Sequence, residues 1–154
     1  MSTASDETTQ DDHEGFSEQE RAAMRGRAAE LKRQAGRGRG KKAASDEADV
    51  LAKIEQMAEP DRTNARRIHA LVTAHAPELS PKLWYGQPAY ARKGKVVCFF
   101  RSGHDDKERY STFGFNPEAR LDDPSGVWPT SFAVTELSDD AEKTIAALVK
   151  RALD

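Results

Sequence analysis

A single cysteine, Cys98, stands in the 154 residues, which excludes an intrachain disulfide framework and any zinc site built on paired thiolates. Long apolar runs are missing as well. Val96 to Phe100 spans five residues, against the ~20 that a membrane-spanning helix needs. Met1 to Glu20 holds no Lys or Arg and no apolar stretch of the kind a secretion signal carries. These absences lead us to expect a soluble cytoplasmic protein without membrane association. Histidine is scarce too: His13, His69, His75 and His104, with no His-x-x-x-His pair to hold a metal on one helix face. There is no Gly-x-Ser-x-Gly elbow. Ser102-Gly103-His104-Asp105 crowds serine, histidine and aspartate into one short turn, where relay geometry is not expected. Cys98, between Val97 and Phe99, reads as a buried and inert thiol. A non-enzymatic protein is the expectation.

What is present is organised in blocks. Met1 to Glu20 carries seven acids, and Arg21 to Lys42 carries nine bases against Glu30 alone, so the net charge of -2 hides strong asymmetry. Residues 1–15 are polar and acidic and read as a disordered tail, because they cannot bury enough surface to offset ordering entropy. Residues 16–44 read as a basic helix and a Gly/Arg linker. Ser17-Glu18-Gln19-Glu20 fits a capping box, while Met24 and Leu31 form too narrow a stripe for firm packing. That helix is expected to be peripheral or to form on a partner. Gly36, Gly38 and Gly40 then mark a flexible linker, with the boundary of the folded domain, 45–154, placed near Ala44. Gly36 to Lys42 is no phosphate loop, because Ala35 and Lys42 replace the Gly and Ser/Thr that such a loop requires.

Within 45–154, Ser45-Asp46-Glu47 reads as the start of a helix that buries Val50, Leu51, Ile54 and Met57. Pro60 opens a second helix burying Ala65, Ile68, Leu71, Val72 and His75. Short strands are expected over Lys82 to Tyr85, Pro88 to Arg92, Lys95 to Arg101, Tyr110 to Phe115 and Ser131 to Val134, the first two joined by a Gly-Gln-Pro bend and the next by a Lys93-Gly94 turn. Ser138 caps a last helix with Ala141, Ile145, Leu148, Val149 and Ala152 on one stripe. The fold class is α+β, a small antiparallel sheet with helices on one face. Alternation in Lys95 to Arg101 sends Val96, Cys98 and Phe100 one way and Val97 and Phe99 the other. Both faces are then apolar, so the face without helices needs a cover: loops, the N-terminal helix, a second subunit or a ligand.

Trp84, Tyr85, Gln87, Tyr90, Tyr110 and Trp128 are the candidate ligand-binding residues, since Tyr and Trp suit mixed pockets. The plainer alternative is that these aromatics pack the core with Phe99, Phe113 and Phe115. Asp105, Asp106, Asp122 and Asp123 are candidate metal oxygens, of the kind that hold hard cations or weakly held iron. The plainer alternative there is solvated loop charge. The basic arm, Arg21 to Lys42, is a candidate contact for nucleic acid or an acidic protein.

The run Trp84-Tyr85-Gly86-Gln87-Pro88-Ala89-Tyr90, the following Gly94-Lys95-Val96-Val97-Cys98-Phe99-Phe100 and the Phe113-Gly114-Phe115 strand resemble, in order, the YdhG-like family, a bacterial domain of unknown function. The likeness covers roughly residues 46 to 154. It implies a frataxin-like α/β sandwich. For some members it also implies an intracellular iron chaperone that serves iron–sulfur and haem assembly. The expectations for this chain are therefore an iron or small-ligand carrier, with iron as candidate cargo and iron-acceptor proteins as candidate partners. The alternative is an interaction module working through its basic arm. Monomer and homodimer are both open.

Overall fold

The computed structural model describes residues 17–35 and 39–154. The tail expected over residues 1–15 lies outside the described residues, as do 36–38 of the Gly/Arg run. Helices α1 (Glu18–Ala35), α2 (Arg39–Gln56) and α3 (Asp61–His75) precede strands β1 (Ser80–Trp84), β2 (Gln87–Arg92), β3 (Lys95–Arg101), β4 (Ser111–Phe115) and β5 (Ser131–Val134), and helix α4 (Asp139–Ala152) closes the chain. The strands form one antiparallel sheet in sequence order, β1-β2-β3-β4-β5. The fold class is α+β, as the sequence indicates.

The apolar spacing of the helices accounts for one core. Val50 and Ile54 of α2 with Met57 just past its end, Ala65, Ile68 and Val72 of α3, and Ile145, Val149 and Ala152 of α4 pack with Tyr90, Cys98, Phe100 and Phe113 from one face of the sheet. Burying each large side chain contributes about 1.5–3 kcal/mol. Two helical expectations are corrected. Leu51 is 45% exposed, because the buried stripe of α2 runs 50–54–57 and leaves its neighbour outside. His75 is exposed, on the rim of a groove of about 780 Å³ between α3 and α4, past the last buried turn at Val72. α2 also begins at Arg39 rather than at Ser45. Lys41, Lys42, Ala43 and Ala44 are good helix formers, so the boundary placed near Ala44 falls inside a helix and Asp46 is buried within it. Ser17 and Ser138 cap as expected, accepting from Glu20 N at 3.0 Å and Ala141 N at 3.1 Å.

Two tight hairpins set the register. Lys93 and Gly94 have φ of 53° and 79°, and Tyr85 and Gly86 have φ of 52° and 77°, the positive pair that a two-residue hairpin turn matching strand twist requires. The first bend is thus Tyr85-Gly86, and Gln87 and Pro88 already belong to β2. Pro88 is tolerated because the β2–β3 ladder starts only at Ala89–Phe99. Further along, a bulge breaks the register: Tyr90 pairs with Cys98 but Ala91 pairs with Val96, leaving Val97 as the extra residue. Val96 therefore turns to the outer face with Ala89, Ala91, Trp84 and Phe99, while Val97 joins Cys98 and Phe100 inside. The bulge reverses the sides that plain alternation assigns to these two valines.

The connection from β3 to β4 (residues 102–110) is tied to α3 by one buried carboxylate. Asp61 accepts from Ser102 Oγ at 2.6 Å, Ser111 Oγ at 2.9 Å and His104 N at 3.1 Å. Gly103 N donates to Ser111 Oγ at 2.9 Å, and a side chain at Gly103 would meet the Tyr110 carbonyl oxygen at 2.3 Å. A side chain at Gly114 would meet the ring tip of Phe99 at 2.5 Å. Gly103→Ala should cost about 1–3 kcal/mol, since backbone must move. Gly114→Ala should cost clearly less, since the part-exposed Phe99 ring can swing aside. Urea unfolding of both variants tests this, and the reverse order would refute the packing described.

Candidate functional site

Because the strands alternate in direction, the Tyr85-Gly86 turn and the 102–110 loop share one end of the sheet. The Lys93-Gly94 turn, the 116–130 loop and the end of α4 share the other. Gln87 joins the two connections at the first end: its Oε1 accepts from Ser102 N at 3.0 Å, and its Nε2 donates to Asp105 Oδ2 at 3.0 Å. At the second end Arg151 Nη2 donates to the Asp122 carbonyl at 3.2 Å.

This division scatters the expected site residues. Trp84, Tyr85, Gln87 and Tyr110 come together at the first end, with Asp105 and Asp106. Tyr90 is fully buried in the core, its hydroxyl 3.0 Å from His69 Nδ1, and burial raises its pKa well above the phenol range. Burial lowers the pKa of His69, only partly offset by Glu47, so its imidazole is neutral at pH 7. Trp128 packs at the far end beside the 79% exposed Val127. The six residues therefore do not line one pocket. An aromatic of the core and one at the far end look alike in sequence to two aromatics of one site.

The four aspartates are divided as well. Asp105 Oδ2 accepts from Lys53 Nζ at 2.7 Å. Burial works against its charge, but the hydrogen bonds from Lys53 and Gln87 and the Lys53 charge outweigh that and hold its carboxyl below the usual range. Asp106 is bound by Arg101. Asp122 and Asp123 lie in the 116–130 loop at the opposite end, with Asp123 Oδ2 accepting from Ser125 N at 2.9 Å. Among the described residues no three His, Cys, Asp or Glu side chains converge as a metal site. The residues present do not fit bound iron, since the better placed carboxylates are already neutralised by cations.

What the first end does offer is the outer face of the sheet. With the β2–β3 register extended two residues beyond Ala89–Phe99, Trp84, Gln87, Arg101, Thr112 and Ala133 form one row across it, and Lys82, Ala89, Phe99, Gly114 and Ser131 form the next. Half of these residues are small. The Trp84 and Phe99 rings meet above Ala89 at 5.3 Å between centroids, and Trp84 meets Tyr85 edge-on at 5.1 Å. Among the described residues, no helix residue belongs to this outer cluster. Arg101 and Thr112 of the first row also line a hollow of about 420 Å³, together with Tyr110, Arg109, Asp106 and Glu108, where the Arg109 guanidinium lies 5.1 Å above the Tyr110 ring. Phe99, Arg101, Thr112 and Lys82 had no signal of their own in the sequence. Their shared face follows from the regular strand register at this end of the sheet.

α1 borders the same end, but not through its apolar stripe. Met24 and Leu31 are 43% and 50% exposed, whereas Glu30 is only 2% exposed. Glu30 Oε1 accepts from Gly86 N at 2.7 Å, its Oε2 lies 3.7 Å from Arg27 Nη1, and Arg27 sits 5.4 Å from the centre of the Tyr85 ring. Burial lowers the pKa of Lys82, with the nearby Arg27 and Lys42 charges adding to the effect. Cations from α1, α2 and β1 thus gather beside the outer face. No family model, curated protein or solved structure matches the chain.

Glu30→Ala should release α1 alone. Trypsin would then cut after Arg25 and Arg27 faster than in the parent chain, with little change in the urea midpoint of the sheet, and unchanged cleavage would show that Glu30 is not the anchor. Acid stability offers a second check. The Asp105 carboxyl is depressed on folding, so its contribution is present above the unfolded pKa of about 3.9 and is lost as pH falls through the lower folded value. Asp105→Asn should flatten the acid limb of the stability curve below about pH 5, as read by urea unfolding at stepped pH.

Proposed function

We propose that the chain is a non-enzymatic binding module of the cytoplasm. In this it is akin to the YdhG-like group that its Trp84–Tyr90 run resembles, and it takes a small ligand at the outer face of the sheet. The observation that carries this reading is that the Trp84–Phe99 aromatic pair shares its sheet face with Arg101 and Thr112, which line the hollow of about 420 Å³ at Tyr110. A planar group would rest on the rings, and its polar or anionic part would enter the hollow, where Arg101 and Arg109 supply donors. The nucleophile candidates favour binding over catalysis. Cys98 is enclosed in the core with its thiol pushed up to about 12, and the Ser102 hydroxyl is committed to Asp61. Between the two cargoes the resemblance allows, a small organic ligand is better served than iron, since Asp105 and Asp106 are each engaged by a cation.

The test uses Trp128→Phe, which leaves Trp84 as the only tryptophan. Planar aromatic carboxylates and nucleotides titrated into this variant should change its emission saturably, and Arg101→Ala should weaken the binding about tenfold, as loss of a charged hydrogen bond does. Silence from every compound would sink the reading. Saturable binding of Fe(II) under anaerobic conditions, lost in Asp105→Asn or Asp106→Asn, would put the iron carrier in its place.

A further inference from the structure

The outer face is wider than one small molecule, and its charge is not random. Trp84, Phe99 and Tyr85 form a chain of three rings in contact, running from β3 across β1 to the exposed turn. Beneath them the sheet is low, because Ala89, Ala91, Gly114 and Ala133 bring no bulk. Gly114 leaves room for the Phe99 ring tip, which keeps that ring on the surface. Cations surround the rings. Lys82 stands in the same row as Phe99 and Arg101 in the same row as Trp84. Arg27 covers Tyr85 from α1, Lys42 lies near Lys82, and Arg109 borders the hollow. Acids lie close by as well: Glu30 and Asp46 act on Lys82, and Asp106 and Glu108 line the hollow, with Glu30 and Asp106 engaged by Arg27 and Arg101.

Part-exposed rings flanked by cations on an open antiparallel sheet match the chemistry of a flexible polyanion with planar groups. Bases stack on aromatic side chains, and phosphates follow the positive groove. Duplex nucleic acid does not suit this surface, since its bases are already stacked and the rings lie low on the sheet. We propose that the outer sheet face binds single-stranded nucleic acid, its bases stacking on Trp84, Phe99 and Tyr85 and its phosphates meeting Lys82, Arg101 and the Arg27 side of α1. This rests on the reading of the outer face as the binding surface, and it deepens that reading by naming the ligand. The basic residues of α1 and the start of α2 then act as a flank to the sheet, not as a separate arm.

The full chain is titrated into fluorescein-labelled single strands of about 12 nucleotides, within the ~4–16 nucleotides that comparable platforms occupy, and into the corresponding duplex, with anisotropy as readout. Saturable binding of the single strand, at least tenfold tighter than the duplex, is expected. Trp84→Leu and Phe99→Leu keep apolar bulk and remove the ring, and each should weaken binding roughly 5- to 100-fold with the circular dichroism unchanged. Lys82→Gln and Arg101→Gln should each lower the slope of log affinity against log salt by about one. Absence of single-strand binding overturns the proposal. So does binding that survives both ring substitutions yet vanishes in Arg25→Gln/Arg27→Gln, because that result places the strand on the helix alone. The small-ligand titration with Trp84 as reporter separates the two readings. A compound that binds there while oligonucleotides do not leaves the outer face as a ligand site and refutes only the nucleic acid.

Discussion

A carboxylate taken out of water must find donors, and at Asp61 this requirement fixes the working end of the molecule. The residue is the first of α3, where the exposed amides of a helix start favour negative charge, yet it is nearly inaccessible to solvent. Ser102, His104 and Ser111 bring it three donors, and all three belong to the loop between β3 and β4 or to the residue that opens β4. An unpartnered buried charge is strongly destabilising, so the loop has little freedom to be elsewhere. Gln87 accepts from the Ser102 amide, Asp105 accepts from Gln87 and Lys53, and Arg101 reaches Asp106. The hollow beside Tyr110 is therefore walled by a loop anchored from beneath.

The second determinant is an extra residue in β3. The bulge at Val97 sets Val96 opposite Ala91 on the outer face and turns Val97 into the core. With it, one strand furnishes Cys98 and Phe100 to the helices and Phe99 and Val96 to the opposite side. Both faces of β3 are apolar at its centre, and the face away from the helices is where the aromatic pair sits.

Much of this was legible in the sequence, and the limits have physical causes. The spans of β3, β5 and α4, the Lys93-Gly94 turn and the caps at Ser17 and Ser138 follow from local rules, because each depends on neighbours a few residues away. The start of α2 was misplaced by six residues, since Ser45-Asp46 is a fair cap but Lys41 to Ala44 continue a helix just as well. The narrow stripe of Met24 and Leu31 left α1 peripheral or dependent on a partner, and nothing in the sequence marked Glu30, which accepts from the backbone of Gly86. A buried acid is indistinguishable from a solvated one until the partner is placed. The same holds for Asp61. For the site, residue types were a fair guide to the end of the sheet at Trp84, Tyr85, Gln87 and Tyr110. They could not separate these from Tyr90 and Trp128, which share the chemistry but sit in the core and at the far end.

Every strand of this sheet pairs only with the strands next to it in sequence. Two of the four pairings close through two-residue turns whose positive φ angles favour the hairpin locally. Such a sheet has low contact order for a β-containing fold, so little loop-closure entropy stands in the way of its formation. The sheet can zip from the β1–β3 hairpins outward as the chain leaves the ribosome, without waiting for a distant segment. α4, the last element to appear, then seals the core, and its end receives Arg120 and Arg92 through the Ala152 and Leu153 carbonyls.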